Sequence, residues 1–313
     1  MLGAHMELEI REQPAILARG AASYLRQFRE MLGSSRFDLA LLVARGSSDH
    51  GALYARYLIE IHLGIPVSLA APSVLTRYGK RLRYPKTLAI GISQSGASPD
   101  VAEVLGALRE DGHTTLAITN TAGSRVSQAA ESTLLLQAGL ERSVAATKTY
   151  TASLLALYEL VRALGADLPA PTIPGDVWLA ESRLAAESGV GALLRSSILF
   201  SLARGYSFAT AQETALKLME CALLPCKAYS SADFEHGPRA LARHGTAAVV
   251  FGEPLPFLGD QGAEVVVAPS CLEGPCAPIW DAFFAQWLAL LCARARGLDP
   301  DHPEHIAKVT ETL

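Results

Sequence analysis

The stretch Thr87-Leu88-Ala89-Ile90-Gly91-Ile92-Ser93-Gln94-Ser95-Gly96-Ala97-Ser98-Pro99-Asp100 decides the reading of this chain. Its first six residues form an apolar run of the kind buried on both faces of a parallel sheet. Pro99 stands where a helix begins, because a proline's missing N–H costs nothing at the first helical position. Between strand and helix lie three hydroxyls, an amide and a glycine. A helix start offers unpaired N–H groups and a positive dipole end, which together favour an anion. The stretch therefore reads as a phosphate cradle, against the plainer alternative of a capped Ser/Gly turn. The Gly-Lys-Ser/Thr ending of a Walker loop is absent, which argues against a nucleoside triphosphate.

Working outward, strands and helices alternate on both sides of the cradle. A helical stretch opening at Glu9-Ile10 runs to about Gly33. Strand 37–44 ends in Arg45-Gly46-Ser47-Ser48, and a helix follows to about Leu63. Strands are expected at 66–70, 87–93, 114–120 and 132–137, with helices near 99–111 and from about 147 to 164. Such alternation implies a parallel sheet covered on both faces, with ligands gathering beyond the strand carboxyl ends. Pro169, Pro171 and Pro174 mark a linker. After a helix near 177–187 the pattern restarts: strand 198–203 ends in Arg204-Gly205-Tyr206-Ser207, which echoes Arg45-Gly46-Ser47-Ser48. Two domains of one design follow from that repeat. The second is shorter, because little room for a helix separates strand 246–251 from strand 264–268. Trp280 to Arg296 reads as a closing helix ended by Gly297.

Composition narrows the class. The chain has 313 residues, half of them hydrophobic, and a net charge of −4, a balance that invites neither nucleic acid nor an anionic membrane. No apolar run reaches the ~18 residues of a membrane span, and no signal peptide is visible at Met1. Five cysteines, an odd number, suit reduced thiols and a cytoplasmic setting. Cys221 with Cys226 and Cys271 with Cys276 are spaced too widely for a usual zinc site, so no metal is expected.

A second constellation lies after Gly205. Glu213, Lys217 and Glu220 fall at i, i+4 and i+7 and share one helix face. A lysine between two carboxylates suits proton shuffling on a sugar, and equally a solvated salt-bridge stripe. Tyr229-Ser230-Ser231-Ala232-Asp233-Phe234-Glu235-His236-Gly237-Pro238 adds a histidine, the side chain that titrates near neutral pH, beside a rigid turn.

These stretches, in this order, resemble the sugar isomerase (SIS) domain family in its tandem form. The shared motifs are Glu9-Ile10 with Glu12-Gln13-Pro14, Gly46-Ser47-Ser48, Ser93-Gln94-Ser95-Gly96 with Ser98, Glu141-Arg142-Ser143-Val144-Ala145-Ala146-Thr147-Lys148, Ala215-Leu216-Lys217-Leu218 with Glu220, Glu235-His236-Gly237-Pro238, and Ala307-Lys308. The set is similar to the isomerase half of glucosamine-6-phosphate synthase, and more so to stand-alone glucosamine-6-phosphate deaminases of SIS type. The resemblance implies an α/β fold of two tandem SIS domains. Each is a parallel sheet in flavodoxin-like order flanked by helices, and the second is shortened. It places a helical segment at 1–33, the phosphate-binding domain at 34–168, a linker and helix at 169–190, a catalytic domain at 191–300 and a catalytic tail at 301–313.

By the same resemblance, Ser48, Ser93, Gln94, Ser95 and Ser98 hold a sugar phosphate, with Ser47 close by. Backbone groups at Val144 and Ala307 touch sugar hydroxyls. His236 opens the ring and reaches the site of a neighbouring subunit, which implies a homodimer. Glu220 moves a proton between C2 and C1, Lys217 lies near the ring oxygens, and Lys308 closes over the open-chain sugar with an amine role if its pKa is lowered. The activity implied is conversion of glucosamine 6-phosphate and water to fructose 6-phosphate and ammonia. It needs no metal or other cofactor and no nucleic-acid or membrane partner. No glutaminase half precedes the isomerase stretch, so the hydrolytic direction is the expected one. The alternatives are a phosphosugar aldose–ketose isomerase, a fructosamine-phosphate deglycase and a non-catalytic sugar-phosphate sensor. Two departures from the family pattern stand out: the short segment 252–262, and Ala97-Ser98 where the synthase carries an acidic residue and a threonine.

Overall fold

The computed structural model describes residues 1–269 and 272–308. The chain divides into two compact units, of which one holds Ala15–Leu140 with Lys148–Pro171 and the other Met1–Pro14, Glu141–Thr147 and Thr172–Lys308. Helix α1 (Ala4–Leu32) begins in the second of these and, with Pro14 inside it, continues into the first.

The first unit is built on five parallel strands: β1 (Leu39–Val43), β2 (Val67–Leu69), β3 (Thr87–Ser93), β4 (Thr114–Thr119) and β5 (Ser132–Leu135), in the order β2-β1-β3-β4-β5. Helices α2 (Ser47–Leu63), α3 (Ser73–Thr76), α4 (Pro99–Glu110), α5 (Arg125–Ala129) and α6 (Lys148–Ala163) connect and cover them. All seven residues of β3 are buried, as its unbroken apolar run requires of a central parallel strand. On one face Leu41, Val43, Ala89, Val101, Leu105, Ala117 and Val126 form a continuous core. α2 packs against α6, which is buried from Lys148 through Val161.

The second unit carries α7 (Asp176–Leu194), β6 (Ile198–Ala203), α8 (Phe208–Ala222), β7 (Cys226–Ser230), α9 (Ser231–Glu235), β8 (Thr246–Val250), α10 (Phe257–Asp260), β9 (Glu264–Val267) and α11 (Ala277–Ala295). Its four strands are all parallel, in the order β7-β6-β8-β9. This is the first sheet's order less one strand, the shortened second domain that the sequence implied. The connection from β8 to β9 is reduced to the four-residue α10. α11 is apolar all round and packs on both α7 and α8, as an all-round hydrophobic helix must. Phe200 and Phe234 meet at 4.9 Å in the core on the other face. β7 is an edge strand that the sequence reading does not provide, and α7 extends to Leu194, beyond the expected helix near 177–187.

Both ends of the second unit's sequence meet at the start of α1. The Asp301 carboxylate accepts hydrogen bonds from the backbone N–H groups of His5 (2.7 Å) and Met6 (2.9 Å), and Asp299 accepts one from Gly3 (2.8 Å). These carboxylates satisfy donors that every helix start leaves open. Among the described residues no helix is long and apolar enough to cross a membrane.

Candidate active site

In the first unit the cradle is assembled by strand order. β1 and β3 are neighbours, with Val43 opposite Gly91, so their carboxyl ends lie side by side. That places Gly46-Ser47-Ser48 at the start of α2 beside Ser93-Gln94-Ser95-Gly96-Ala97-Ser98 at the start of α4. Chain direction reverses across this pair, the switch point where open parallel sheets hold ligands. Pro99 takes a first-turn position of α4, as its place in the sequence predicts. Ser47, Ser48, Gln94, Ser95 and Ser98 are half-buried and Ser93 is buried. The Ser95 hydroxyl accepts from the Ala97 N–H at 3.2 Å, which leaves its own proton to donate.

Two cradle features differ from the sequence picture. Gly96 has φ +65°, and a Cβ there would lie 2.0 Å from the Ser124 hydroxyl. Its glycine is therefore demanded by the chain's own packing as well as by any ligand. In addition, Asp100 is buried in the first turn of α4, where it accepts from Arg45 Nε at 2.7 Å and from Ser98 Oγ at 3.3 Å. The Arg45 cation is thus spent on Asp100, and the cradle offers neutral donors.

In the second unit α8 carries Glu213, Lys217 and Glu220 on one face. The stripe is not a solvated one: Glu213 and Lys217 are fully buried. Lys217 Nζ lies 3.4 Å from Glu213 and 2.5 Å from Glu220 Oε2. Burial works against the Lys217 ammonium, but the Glu213 and Glu220 carboxylates outweigh it and hold its pKa above the lysine range. The Glu220 side chain is 25% exposed. It is a carboxylate anchored through one oxygen to a buried cation, with its other side toward solvent.

The segment Glu141–Thr147 belongs to the same unit and is held by carboxylates. Glu9 accepts from the N–H groups of Arg142 and Ser143. Buried Glu141 accepts from the Thr147 N–H at 3.0 Å and from Lys308 Nζ at 2.8 Å, while the Ser143 carbonyl accepts from the same ammonium at 2.7 Å. Gln13 donates to Gln286 (2.8 Å), which in turn donates to the Thr147 carbonyl (3.2 Å). Residues of the Glu9…Gln13 motif thus brace this loop, and Val144 projects half-buried from it. Lys308 is engaged as a cation, so the amine chemistry expected of it requires release from Glu141. Ala307 is exposed beside it. Pairings such as Glu141–Lys308 and Arg45–Asp100 join residues far apart in sequence, and no local spacing signals them.

His236 ends the short helix α9 and is exposed. The structure places it with Lys217, Glu220, Val144, Ala307 and Lys308 in one unit, and the cradle residues in the other. Among the described residues no three His, Cys, Asp or Glu side chains gather as a metal site. Cys221 and Cys226 are buried, and burial pushes both thiols up to about 12. Cys271 lies outside the described residues.

Residues 38–163 match the family model for the SIS domain. Over 96% of its length the chain is 32% identical to the isomerizing glutamine–fructose-6-phosphate aminotransferase of Methanothermobacter thermautotrophicus, of which it covers 56%. It is 30% identical to the Pseudomonas syringae counterpart, of which it covers 57%. The chain therefore spans little more than half the length of these curated relatives. Among solved structures, a protein described as a phosphosugar isomerase from Silicibacter pomeroyi superposes with a TM-score of 0.80 at 29% identity, covering 96% of this chain and 100% of that one. The glucosamine-6-phosphate deaminase of Thermotoga maritima shares the fold, with a TM-score of 0.80 at 24% identity and 99% and 100% coverage.

Proposed function

We propose, on the premise that this chain belongs to the SIS domain family of phosphosugar isomerases, that it hydrolytically deaminates glucosamine 6-phosphate to fructose 6-phosphate and ammonia. The observation that carries this reading is Glu220, one oxygen fixed by buried Lys217 and the side chain still partly open. An aldose–ketose shift needs one base that takes a proton from C2 and returns it to C1 on the same face. With an amine on C2 the proton passes through an enolamine to a C2 imine. Water adds to that imine, and the C–N bond breaks to release ammonia.

The remaining roles follow from the chemistry of each group. Ser47, Ser48, Ser93, Gln94, Ser95 and Ser98 donate to the phosphate, aided by the start of α4. Lys217 acts through Glu220, keeping its carboxylate oriented. His236, exposed at the end of α9, opens the pyranose ring, and in a homodimer it serves the neighbouring subunit's site. Val144 and Ala307 offer backbone groups to the sugar hydroxyls. Lys308, once released from Glu141, closes over the open chain.

Ammonia and fructose 6-phosphate measured together from glucosamine 6-phosphate test the proposal. Equal yields of both are expected, and the absence of both refutes it. The likeness to the Silicibacter pomeroyi protein favours one second reading, the same proton shift on a sugar phosphate without the amine. In that case an unaminated aldose phosphate gives ketose phosphate and glucosamine 6-phosphate gives nothing.

A further inference from the structure

The echo of Arg45-Gly46-Ser47-Ser48 in Arg204-Gly205-Tyr206-Ser207 has no part in the chemistry above, yet the structure builds a cavity around it. In the second unit β6 and β8 are neighbours and the chain diverges from them to β7 and β9, so their carboxyl ends form that sheet's own switch point. There a cavity of about 250 Å³ is lined by Arg204 and Ser207 after β6, Phe251 and Gly252 after β8, and Asp281 from α11. It occupies the position that the cradle occupies in the first unit. Its size suits a single monosaccharide and falls below the ~300 Å³ at which pockets for drug-sized ligands begin.

The two positions differ in what happens to the arginine. In the first unit α4 delivers Asp100 to Arg45 at 2.7 Å. In the second unit the connection after β8 is shortened, and no helix of comparable length brings a carboxylate back. Arg204 is exposed and makes no ion pair or side-chain hydrogen bond among the described residues. Asp281 is 8% exposed; its Oδ2 accepts from the Ser207 hydroxyl at 2.9 Å, and its Oδ1 accepts nothing among the described residues. Burial pushes the Asp281 carboxyl up to about 7, and the Ser207 hydroxyl draws it partly back. Asp281 thus lines the cavity with an oxygen that Ser207 does not occupy. The cavity thus presents a guanidinium for an anion and a carboxylate for an ammonium or hydroxyl, with exposed Glu273 as a further acceptor on its lining.

We propose that this cavity is a second small-molecule site, taking an amino-sugar phosphate with its phosphate on Arg204 and its ammonium or a hydroxyl on Asp281. The choice of ligand, though not the existence of the site, rests on the function proposed above. Such a site lets the enzyme sense the same class of molecule that it consumes.

Calorimetric titration with glucosamine 6-phosphate tests this in the full chain carrying Glu220→Gln, so that the ligand is not turned over. Two equivalents should bind. Adding Ser95→Ala and Ser98→Ala should leave one, and adding Arg204→Gln to that protein should weaken the remaining site by roughly tenfold or more, as loss of a charge-assisted contact does. Asp281→Asn should weaken the same equivalent. A single equivalent that vanishes with the cradle serines overturns the second site, as does a second equivalent indifferent to Arg204→Gln. No binding at all overturns the site together with the proposed function. Two equivalents bound with no ammonia released by the unmodified chain overturns the function alone.

Discussion

Lys217→Met is the most informative perturbation of the α8 cluster. The lysine and Glu213 are both fully buried with 3.4 Å between charges, a separation that corresponds to roughly 5 kcal/mol of attraction at an effective dielectric near 20. Removing one partner of a buried pair costs about 3–5 kcal/mol, because the other is left with its desolvation uncompensated. Glu220 is partly exposed and can recover water; Glu213 cannot. The loss should appear as a drop in Tm on the order of 10 °C. The double variant Lys217→Met/Glu213→Leu should return to within about 1 kcal/mol of the unmodified chain, since an apolar pair can replace a buried ionic one at little cost. Urea unfolding at pH 7.5 reads all three proteins. A single variant as stable as the unmodified chain at pH 7.5, or a double variant no better than the single, would refute the reasoning.

Glu220→Gln keeps the shape and the contact with Lys217 but not the basicity, so ammonia release should fall by roughly 10²–10⁴-fold with KM little changed; a near-unmodified rate would remove Glu220 from the role of base. Ser95→Ala should raise KM by about tenfold and spare kcat, and the opposite split would contradict the cradle. Gly96→Ala should cost about 2 kcal/mol or more in urea unfolding, because φ is +65° and the new methyl meets Ser124. Asp281 holds a proton to about pH 7 when folded but releases it near 4 when unfolded, so its burial makes the chain less stable as pH rises across that window, by at most ~4 kcal/mol. Asp281→Asn should flatten the dependence, as urea midpoints at pH 5 and 7.5 would show.

The alternation of strands and helices was legible because buried parallel strands are written as apolar runs and their helices as periodic stretches. β3 and β6 appear at the bounds their runs imply. β7 was not legible: five residues at a sheet edge, including Lys227 facing solvent, carry no continuous apolar signal. The cradle could be located because serines, a glycine and a proline cluster locally at one strand end. The partners of Arg45 and Lys308 could not, since Asp100 and Glu141 reach them only through the fold. The i, i+4, i+7 spacing put Glu213, Lys217 and Glu220 on one face but did not say which face. Only packing against α11 and its neighbours turned an apparent surface stripe into a buried cluster.

The carboxylate of Asp301 that closes the start of α1 also sets a timetable for synthesis. The unit built on β1 to β5 has all its described segments once residue 171 has left the ribosome. The other unit opens with a helix start whose capping group is translated 296 residues after His5. At ~5–20 residues per second the interval between residue 171 and Asp301 lasts on the order of ten seconds. During it a nascent chain carries one finished unit and an α1 segment, Met1 to Pro14, still waiting for its partners. That segment includes Met6 and Ile10, which are fully buried in the completed protein, so it needs shielding until its partners are made.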